Sequence, residues 1–257
     1  MKVKVEKITA LIQARIGSSR LPGKTLMTIK GESLLGHLIR RIKASKYVTD
    51  IVIATTTKEI DDAIVKFAKD RDIKYYRGSE EDVLDRFYKA SVEYGIETIV
   101  RVTPDCPMLD PQVMDSVISQ YINGDYNYVS NTINPTYPDG LDVEVFSFQA
   151  LKKAWKEAKL PSEREHVTPY IYNHHEFFKI GSYENDVDLF GMRWVVDEEA
   201  DYKFITEVYK NLYKDGEIFY MRDVLDLLSK QPELSSINKN IMRNEGYIKS
   251  LKKNKDE

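Results

Sequence analysis

The sequence predicts an α/β fold, with a mainly parallel sheet and helices on both faces. Two observations predict it. Short runs rich in β-branched residues alternate with amphipathic helical runs four times before residue 125. A glycine- and serine-rich loop follows the first of these strands, at the edge where open α/β sheets bind ligands.

Taken in order, ITALIQA (8–14) reads as a buried strand and SLLGHLIRRIKAS (33–45) as the next helix. DIVIAT (50–55) is a second strand. EIDDAIVKFAKD (59–70) then sets Ile60, Ala63, Ile64, Phe67 and Ala68 on one helical face. IKYYRG (73–78) is a third strand, and SEEDVLDRFYKASVEYG (79–95) a helix with Ser79 and Asp82 spaced like a capping box. TIVRVT (98–103) is the fourth strand, and Asp110-Pro111 opens a helix. From about residue 131 the rhythm changes. NTINPTYPDG precedes a strand-like LDVEVF, two helical runs (147–159 and 163–174) and FFKIGSYE. MRWVVDEEADYKFITEVYKNL (192–212) reads as a last βα unit whose strand rejoins the sheet. The expected organisation is one domain over 1–213, with an excursion from the sheet at about 131–190. Residues 214–257 then form a helical segment and a frayed, charged tail.

Composition narrows the partners. The chain has 257 residues, 42% of them hydrophobic and 17 of them tyrosine, which is ample for a large core. A net charge of −3 and a pI near 5.9 give no electrostatic case for nucleic acid. The single cysteine, Cys106, excludes an intramolecular disulfide and suits a reducing compartment. The start, MKVKVEKITALI, is too charged for a signal peptide, and no run approaches the ~20 apolar residues of a membrane span. The expectation is a cytoplasmic protein with neither nucleic acid nor membrane as partner.

The loop ARIGSSRLPGKT (14–25) has the parts of a phosphate loop at the wrong spacing. Five residues separate Gly17 from Gly23, where the triphosphatase loop has four. Between Lys7 and Gly31 there is no carboxylate, yet five cations occur: Lys7, Arg15, Arg20, Lys24 and Lys30. Gly17, Ser18 and Ser19 allow backbone N–H groups to approach an anion. Arg15 and Arg20 offer forks and Lys24 a point charge for a polyphosphate. An ordinary loop with solvated charges has the same composition.

Asp105, in TPDCP, follows the fourth strand, and Asp197 follows MRWVV, so both point to the edge that carries the loop. Aspartate also caps helices in such places, and Asp110 fits that role better than a ligand role. Asp201 lies one helical turn beyond Asp197. The adjacent His174 and His175 make a poor chelate on a helix. Cys106 lacks a histidine partner and reads as packing. Asp186-Val187-Asp188 resembles the carboxylate pair of nucleotide-sugar glycosyltransferases but falls late in the chain.

The run IQARIGSSRLPGKTL resembles the opening signature of the superfamily that includes sialic-acid and Kdo cytidylyltransferases. YRGSEEDVLDRFY, IVRVTPDCPMLDP, YPDGLDVEVFSFQAL, REHVTPYIY and RWVVDEEADYKFI follow in the order shown by its SpsF-like branch, named for spore-coat polysaccharide biosynthesis. The resemblance implies a Rossmann-like nucleotidyltransferase fold of the nucleotide-diphospho-sugar transferase type, a homodimer, and an inserted arm that borders the acceptor pocket. It implies Mg²⁺-dependent transfer of CMP from CTP to a sugar acid, a sugar or polyol phosphate or a related anionic acceptor. Pyrophosphate would be released, in surface polysaccharide or glycoconjugate biosynthesis.

By the same resemblance, Asp105 and Asp197 hold the metal, and Arg15, Arg20 and Lys24 hold the triphosphate and act with Asp105 in catalysis. Ala14, Arg15, Gly17, Ser18, Ser19, Arg20, Lys24, Arg77 and Ser79 bind the nucleotide, Ser79 having helix capping as its alternative. Asp139, Asp142, Glu144, Arg164, His166 and Arg193 are candidate acceptor contacts, with Arg164 or Arg193 as the cation for an acceptor anion. His166 fits either a base or a helix-surface residue. A nucleotide-sugar glycosyltransferase and a non-catalytic nucleotide-binding regulator are the competing classes.

Overall fold

In the computed structural model, which describes residues 7–243 and 245–254, seven strands make one sheet. Strands β1 (Ile8–Gln13), β2 (Val48–Thr56), β3 (Lys74–Gly78) and β4 (Thr98–Val102) are parallel, in the order β3-β2-β1-β4. Parallel neighbours require crossovers. These are α1 (Leu34–Ile42), α2 (Asp62–Asp70) and α3 (Val83–Tyr94), and α4 (Pro111–Asn123) follows β4. The sheet continues with β5 (Tyr128–Ser130), β6 (Glu144–Ser147) and β7 (Ile180–Ser182), giving the full order β3-β2-β1-β4-β6-β5-β7. β6 is antiparallel to both of its neighbours, and β7 is parallel to β5.

Side-chain alternation along β1 divides the core. Ala10 and Ile12 pack with Leu35, Leu38, Ile64, Phe67, Met114 and Val117, from α1, α2 and α4. Leu11 faces the other way, among Leu84, Phe87, Leu151 and Ala154, which lie on α3 and on α5 (Phe148–Glu157). A third cluster gathers Trp194, Phe204, Tyr209, Val224 and Leu228. It joins α8 (Glu199–Leu212) and α9 (Met221–Lys230) to the loops beyond β4. Among the described residues no helix is long and apolar enough to cross a membrane.

Several boundaries depart from the sequence reading. The helix expected from Ser79 begins at Val83. Asp82 caps it by accepting from Asp85 N, and the Ser79 hydroxyl accepts from Asp82 N at 3.0 Å, one turn earlier. The helical run 163–174 is two short helices, α6 (Pro161–His166) and α7 (Pro169–Asn173). Val167 between them has a positive φ of 73°, and Pro169 lacks the N–H needed to continue the first.

The strand expected at 192–196 is a single bridge from Arg193 to Asp139. The bridge is made by Asp139 N donating to Met192 O and Trp194 N to Asp139 O, and beyond it Val196 N donates to Asp105 O in a loop. The approach is so close that a Cβ at Gly140, whose φ is 108°, would lie 2.6 Å from the Trp194 backbone. The expected excursion over 131–190 is also corrected in part, since β6 and β7 are both strands of the main sheet. The tail expected to fray is helical as α10 (Glu245–Lys253), which packs against α6. Residues 1–6, within the expected domain and start segment, and 255–257 of the expected tail lie outside the described residues.

Asp110 shows how caps tie the layers together. Buried at 2% exposure, it accepts from Gln112 N and Val113 N at the start of α4 and also from Met221 N at the start of α9. Asp110→Ala orphans both helix starts and is expected to cost about 2 kcal/mol, the upper end for a lost cap. Urea unfolding checks it; a cost under a few tenths would show that neither cap matters.

Candidate active site

The loop after β1 is shaped by backbone bonds before any ligand enters. Ala14 N donates to Ala54 O, the last sheet bond of this strand, and the chain then turns back so that Ser18 N and Gly23 N both donate to Ile16 O. Gly23, with φ of 76°, leads into a single 3₁₀ turn at Lys24–Leu26. Thr25 Oγ1 closes the loop by donating to Arg15 O at 2.9 Å. Asp61 anchors it from outside, accepting from Ile16 N at 2.7 Å while the Thr56 hydroxyl donates to its other oxygen. Sequence reasoning missed Asp61. It reads there as one more acid at a helix start, although it is 1% exposed.

The loop turns Lys24 inward. Its Nζ donates to Asp105 Oδ2 at 2.9 Å, to Asp197 Oδ1 at 2.8 Å and to Val196 O at 2.8 Å. Burial works to lower the Lys24 ammonium, but Asp105 and Asp197 outweigh it and hold its pKa above the ordinary value. Burial likewise works to raise Asp105, and Lys24 outweighs it, so that carboxyl is held low.

A ring of charges surrounds this centre. Arg20 Nη2 lies 2.9 Å from Asp197 Oδ2. Arg193 donates from Nε and Nη2 to Asp201, from Nη1 to Asp139 and from Nη2 to Asp197. Asp201 in turn accepts from Asp197 N and Glu198 N, which fixes the backbone that presents Asp197. Seven residues singled out in the sequence, Arg20, Lys24, Asp105, Asp139, Arg193, Asp197 and Asp201, therefore meet in one cluster.

Others lie apart from it. Arg15 pairs with Glu80 at 3.2 Å, Ser18 Oγ accepts from Leu21 N, and Gly17 and Ser19 are exposed. Arg77 is engaged by Thr56 O, Lys58 O and Asp62. Arg164 binds Asp82 and Trp155 O, which ties α6 to α3 and α5 and leaves it away from the acid cluster. Glu144 is buried, accepting from Arg101, Tyr128 OH and Thr168 Oγ1, and its contacts are those of a packing residue. His166 meets the Tyr247 ring edge-on. Asp142 pairs with Arg243 at 3.0 Å. Burial pushes the Cys106 thiol well up, as suits a packed side chain. Asp188 accepts from Phe190 N in an exposed loop.

Arg86 was also missed, because RGSEEDVLDRFY reads there as a helix face. It is 2% exposed, donates from Nη1 to Ser79 O at 2.6 Å, and its Nε has no hydrogen-bond partner among the described residues. Burial lowers this guanidinium to about 10, with Arg15 adding to the effect.

Three oxygens, from Asp105, Asp197 and Val196, converge on one cation here. Hard oxygen donors of this kind suit Mg²⁺, which takes one or two carboxylates and completes its shell with water and substrate phosphates. Among the described residues no three His, Cys, Asp or Glu side chains form a metal cluster, so a two-carboxylate site is the kind this edge offers. Lys24→Met removes the cation that the two carboxylates share, leaving Asp105 without it and Asp197 with Arg20 and Arg193. The expected cost is about 3 kcal/mol in EDTA, with Mg²⁺ raising the melting temperature of the variant more than that of the parent chain. Equal Mg²⁺ effects on the two proteins would show that these carboxylates take no metal.

Asp142 gives a pH signature. Burial first, then Asp139, Glu144 and Asp105, push its carboxyl up to about 7 from an ordinary 3.8, against the opposing pull of Arg243. The folded chain thus keeps a proton that the unfolded chain releases, so this group lowers stability as pH rises from about 4 to about 7. The melting temperature of Asp142→Asn, relative to the parent, is expected to be higher at pH 8 than at pH 5. A difference that does not change with pH would refute the raised pKa.

Comparison with known proteins accords with this geometry. Residues 9–240 match the family model described as Cytidylyltransferase. An uncharacterized protein of Methanocaldococcus jannaschii is 41% identical over 237 residues, covering 91% of this chain and 96% of its own length. The spore coat polysaccharide biosynthesis protein SpsF of Bacillus subtilis is 31% identical over 238 residues, covering 89% of this chain and 97% of its own. Among solved structures, a cytidylyltransferase from Leptospira borgpetersenii superposes with a TM-score of 0.84 at 32% identity, covering 92% of this chain and 98% of the other.

Proposed function

The chain belongs to the cytidylyltransferase family, whose members are nucleotidyltransferases that use CTP, and from that premise we propose the reaction it performs. It transfers CMP from CTP to a hydroxylated, anionic acceptor with Mg²⁺ and releases pyrophosphate, in the building of a surface polysaccharide or glycoconjugate. It works as a homodimer, as its sequence resemblance implies, and in the cytoplasm, the reducing compartment that the single Cys106 suits. The observation that carries the reading is the meeting of Lys24, Asp105 and Asp197 beside the loop at the C-terminal edge of the sheet.

Asp105 and Asp197 are the residues that would hold Mg²⁺, which when bound would offset charge on the α-phosphate. Lys24, displaced from the carboxylates, is within the same loop as Arg15 and Arg20 and turns with them to the triphosphate. The exposed Gly17 and Ser19 bring backbone N–H groups to the phosphates, while Ser18 N is kept by Ile16 O and holds the turn between them. The acceptor hydroxyl oxygen attacks the α-phosphorus, a new P–O bond forms and the bond to the bridging oxygen of pyrophosphate breaks. The hydroxyl proton leaves to solvent, and the departing charge is met by Arg15, Arg20 and Lys24. On the nucleoside side, Ala14, Arg77, Ser79 and the spare Nε donor of Arg86 border the strand ends where the base would lie.

Pyrophosphate release tests this, using Mg²⁺, each of the four nucleoside triphosphates, and a panel of ulosonic acids, sugar and polyol phosphates and phosphonates. Release with CTP and one acceptor is expected. Asp105→Asn should lower turnover at least about 100-fold with the fold unchanged by circular dichroism. Near-normal turnover in that variant would remove the ligand role of Asp105. Absence of Mg²⁺-dependent CTP binding to the parent chain would overturn the reading.

A further inference from the structure

The chain beyond α9 runs back over the sheet's C-terminal edge as a strap secured at both ends. Near its start, the buried Asn238 donates from Nδ2 to Arg193 O at 3.0 Å and to Asp201 Oδ1 at 2.9 Å. Near its end, Asn254 accepts from Ser162 N at 3.1 Å and donates to Ser162 Oγ at 2.7 Å. Between these anchors Glu245 accepts from Arg20 at 3.4 Å, and the Tyr247 ring stands edge-on to His166 with centroids 5.1 Å apart. The strap therefore touches both the triphosphate side of the site and the side assigned to the acceptor.

Arg243 is the side chain that it sends inward. Nη2 donates to Asp142 Oδ1 at 3.0 Å, Nη1 to Tyr137 O at 3.2 Å, and Nε lies 3.9 Å from Asp139 Oδ1. The guanidinium lies over the Phe190 ring, 4.9 Å from its centroid, and the side chain is 12% exposed. A guanidinium carries five N–H donors, so this fork is not saturated by its two hydrogen bonds. Asp139 lies between Arg243 and Arg193, and Arg193 holds Asp197. Arg243 is thus joined through two shared carboxylates to the centre where the α-phosphate would sit.

The other cations on the acceptor side are already committed. Arg193 makes four hydrogen bonds to three carboxylates, and Arg164 is held by Asp82 and Trp155 O. Resting on the reaction proposed above, we propose that Arg243 binds the anionic group of the acceptor, a carboxylate or a phosphate. The strap is then one wall of the acceptor pocket. Asp142 Oδ1 holds the place of an acceptor oxygen on Nη2, and the ligand anion competes with it there. Asp142 and Asp139 are left to accept from acceptor hydroxyls. Burial, which favours the neutral form of Asp142, makes it a weak competitor near neutral pH.

The test is calorimetric titration of the full chain, loaded with Mg²⁺ and the non-hydrolysable α,β-methylene analogue of CTP. Gluconate is the carboxylate probe and glycerol 3-phosphate the phosphate probe. The parent chain is expected to bind one of them, which identifies the class of anion. Arg243→Ala should weaken that binding at least about tenfold, and Arg243→Lys should restore part of it. Asp142→Asn, which replaces the competing carboxylate by a weaker amide acceptor, should tighten it a few-fold. Affinity for the CTP analogue should stay within about twofold in the Arg243 variants, which shows that they remain folded. Equal anion affinity in parent and Arg243→Ala, or no binding of either probe to the parent, would overturn the role of Arg243. Failure of the parent to bind the CTP analogue would instead overturn the reaction on which it rests.

Discussion

The functional edge of the sheet depends on keeping one buried ammonium neutralised. Lys24 lies 81 residues from Asp105 and 173 from Asp197, yet all three meet within 2.9 Å. An unpaired ammonium at this depth would be strongly destabilising, so the loop, the end of β4 and the stretch before α8 must close on the same point. That requirement explains why 192–197 bonds to loops: Val196 gives its carbonyl to Lys24 and its N–H to Asp105 O. It also explains Gly140, the residue without a Cβ that lets the two segments come together.

Such a network is better suited to positioning than to stability. Desolvating several charges costs about as much as their pairing returns, so the net gain in folding is small. What it secures is geometry. Asp201 and Arg193 fix Asp197 from behind, and Arg20 approaches the same carboxylate from the loop side. In the proposed reaction, the carboxylates are held apart by Lys24 until a divalent ion replaces it. Releasing the ammonium toward the triphosphate then places positive charge where the substrate has most negative charge. One substitution of cations readies both halves of the site.

The parallel half of the fold was legible in the sequence because its signal is local. Apolar runs such as ITALIQ and the periodicity of α1 to α4 are visible within windows of a dozen residues. That Asp105 and Asp197 share the edge of the loop was legible from their places after strands, but their pairing with Lys24 was not, since no local pattern reports contacts across the chain. The misreadings have the same origin. WVV carries the apolar, β-branched pattern of a strand, but Trp194 and Val196 pack against α8 and α9 and not within the sheet. The partners of Arg77, Arg164 and Glu144 were not legible either, since Thr56 O, Asp82 and the Tyr128 hydroxyl come from other segments of the chain.

The strap was illegible for a further reason. INKNIMRNEGYIKSLKK is polar and lacks the apolar density that marks a core element, and its end, IKSLKK, reads as the start of a charged tail. Its attachment rests largely on side-chain hydrogen bonds from Asn238, Arg243, Glu245 and Asn254. Such contacts constrain a segment far less than the packing of β1 among five helices does. A change at Arg243 or Tyr247 can therefore alter this face of the edge while the sheet keeps its packing, whereas Asn238 and Glu245 also bond residues around Lys24. On the proposal that Arg243 holds the acceptor anion, the acceptor side would be lined by a segment held mainly through polar side chains. The proposed site would then vary in its acceptor more readily than in the sheet that carries the loop after β1.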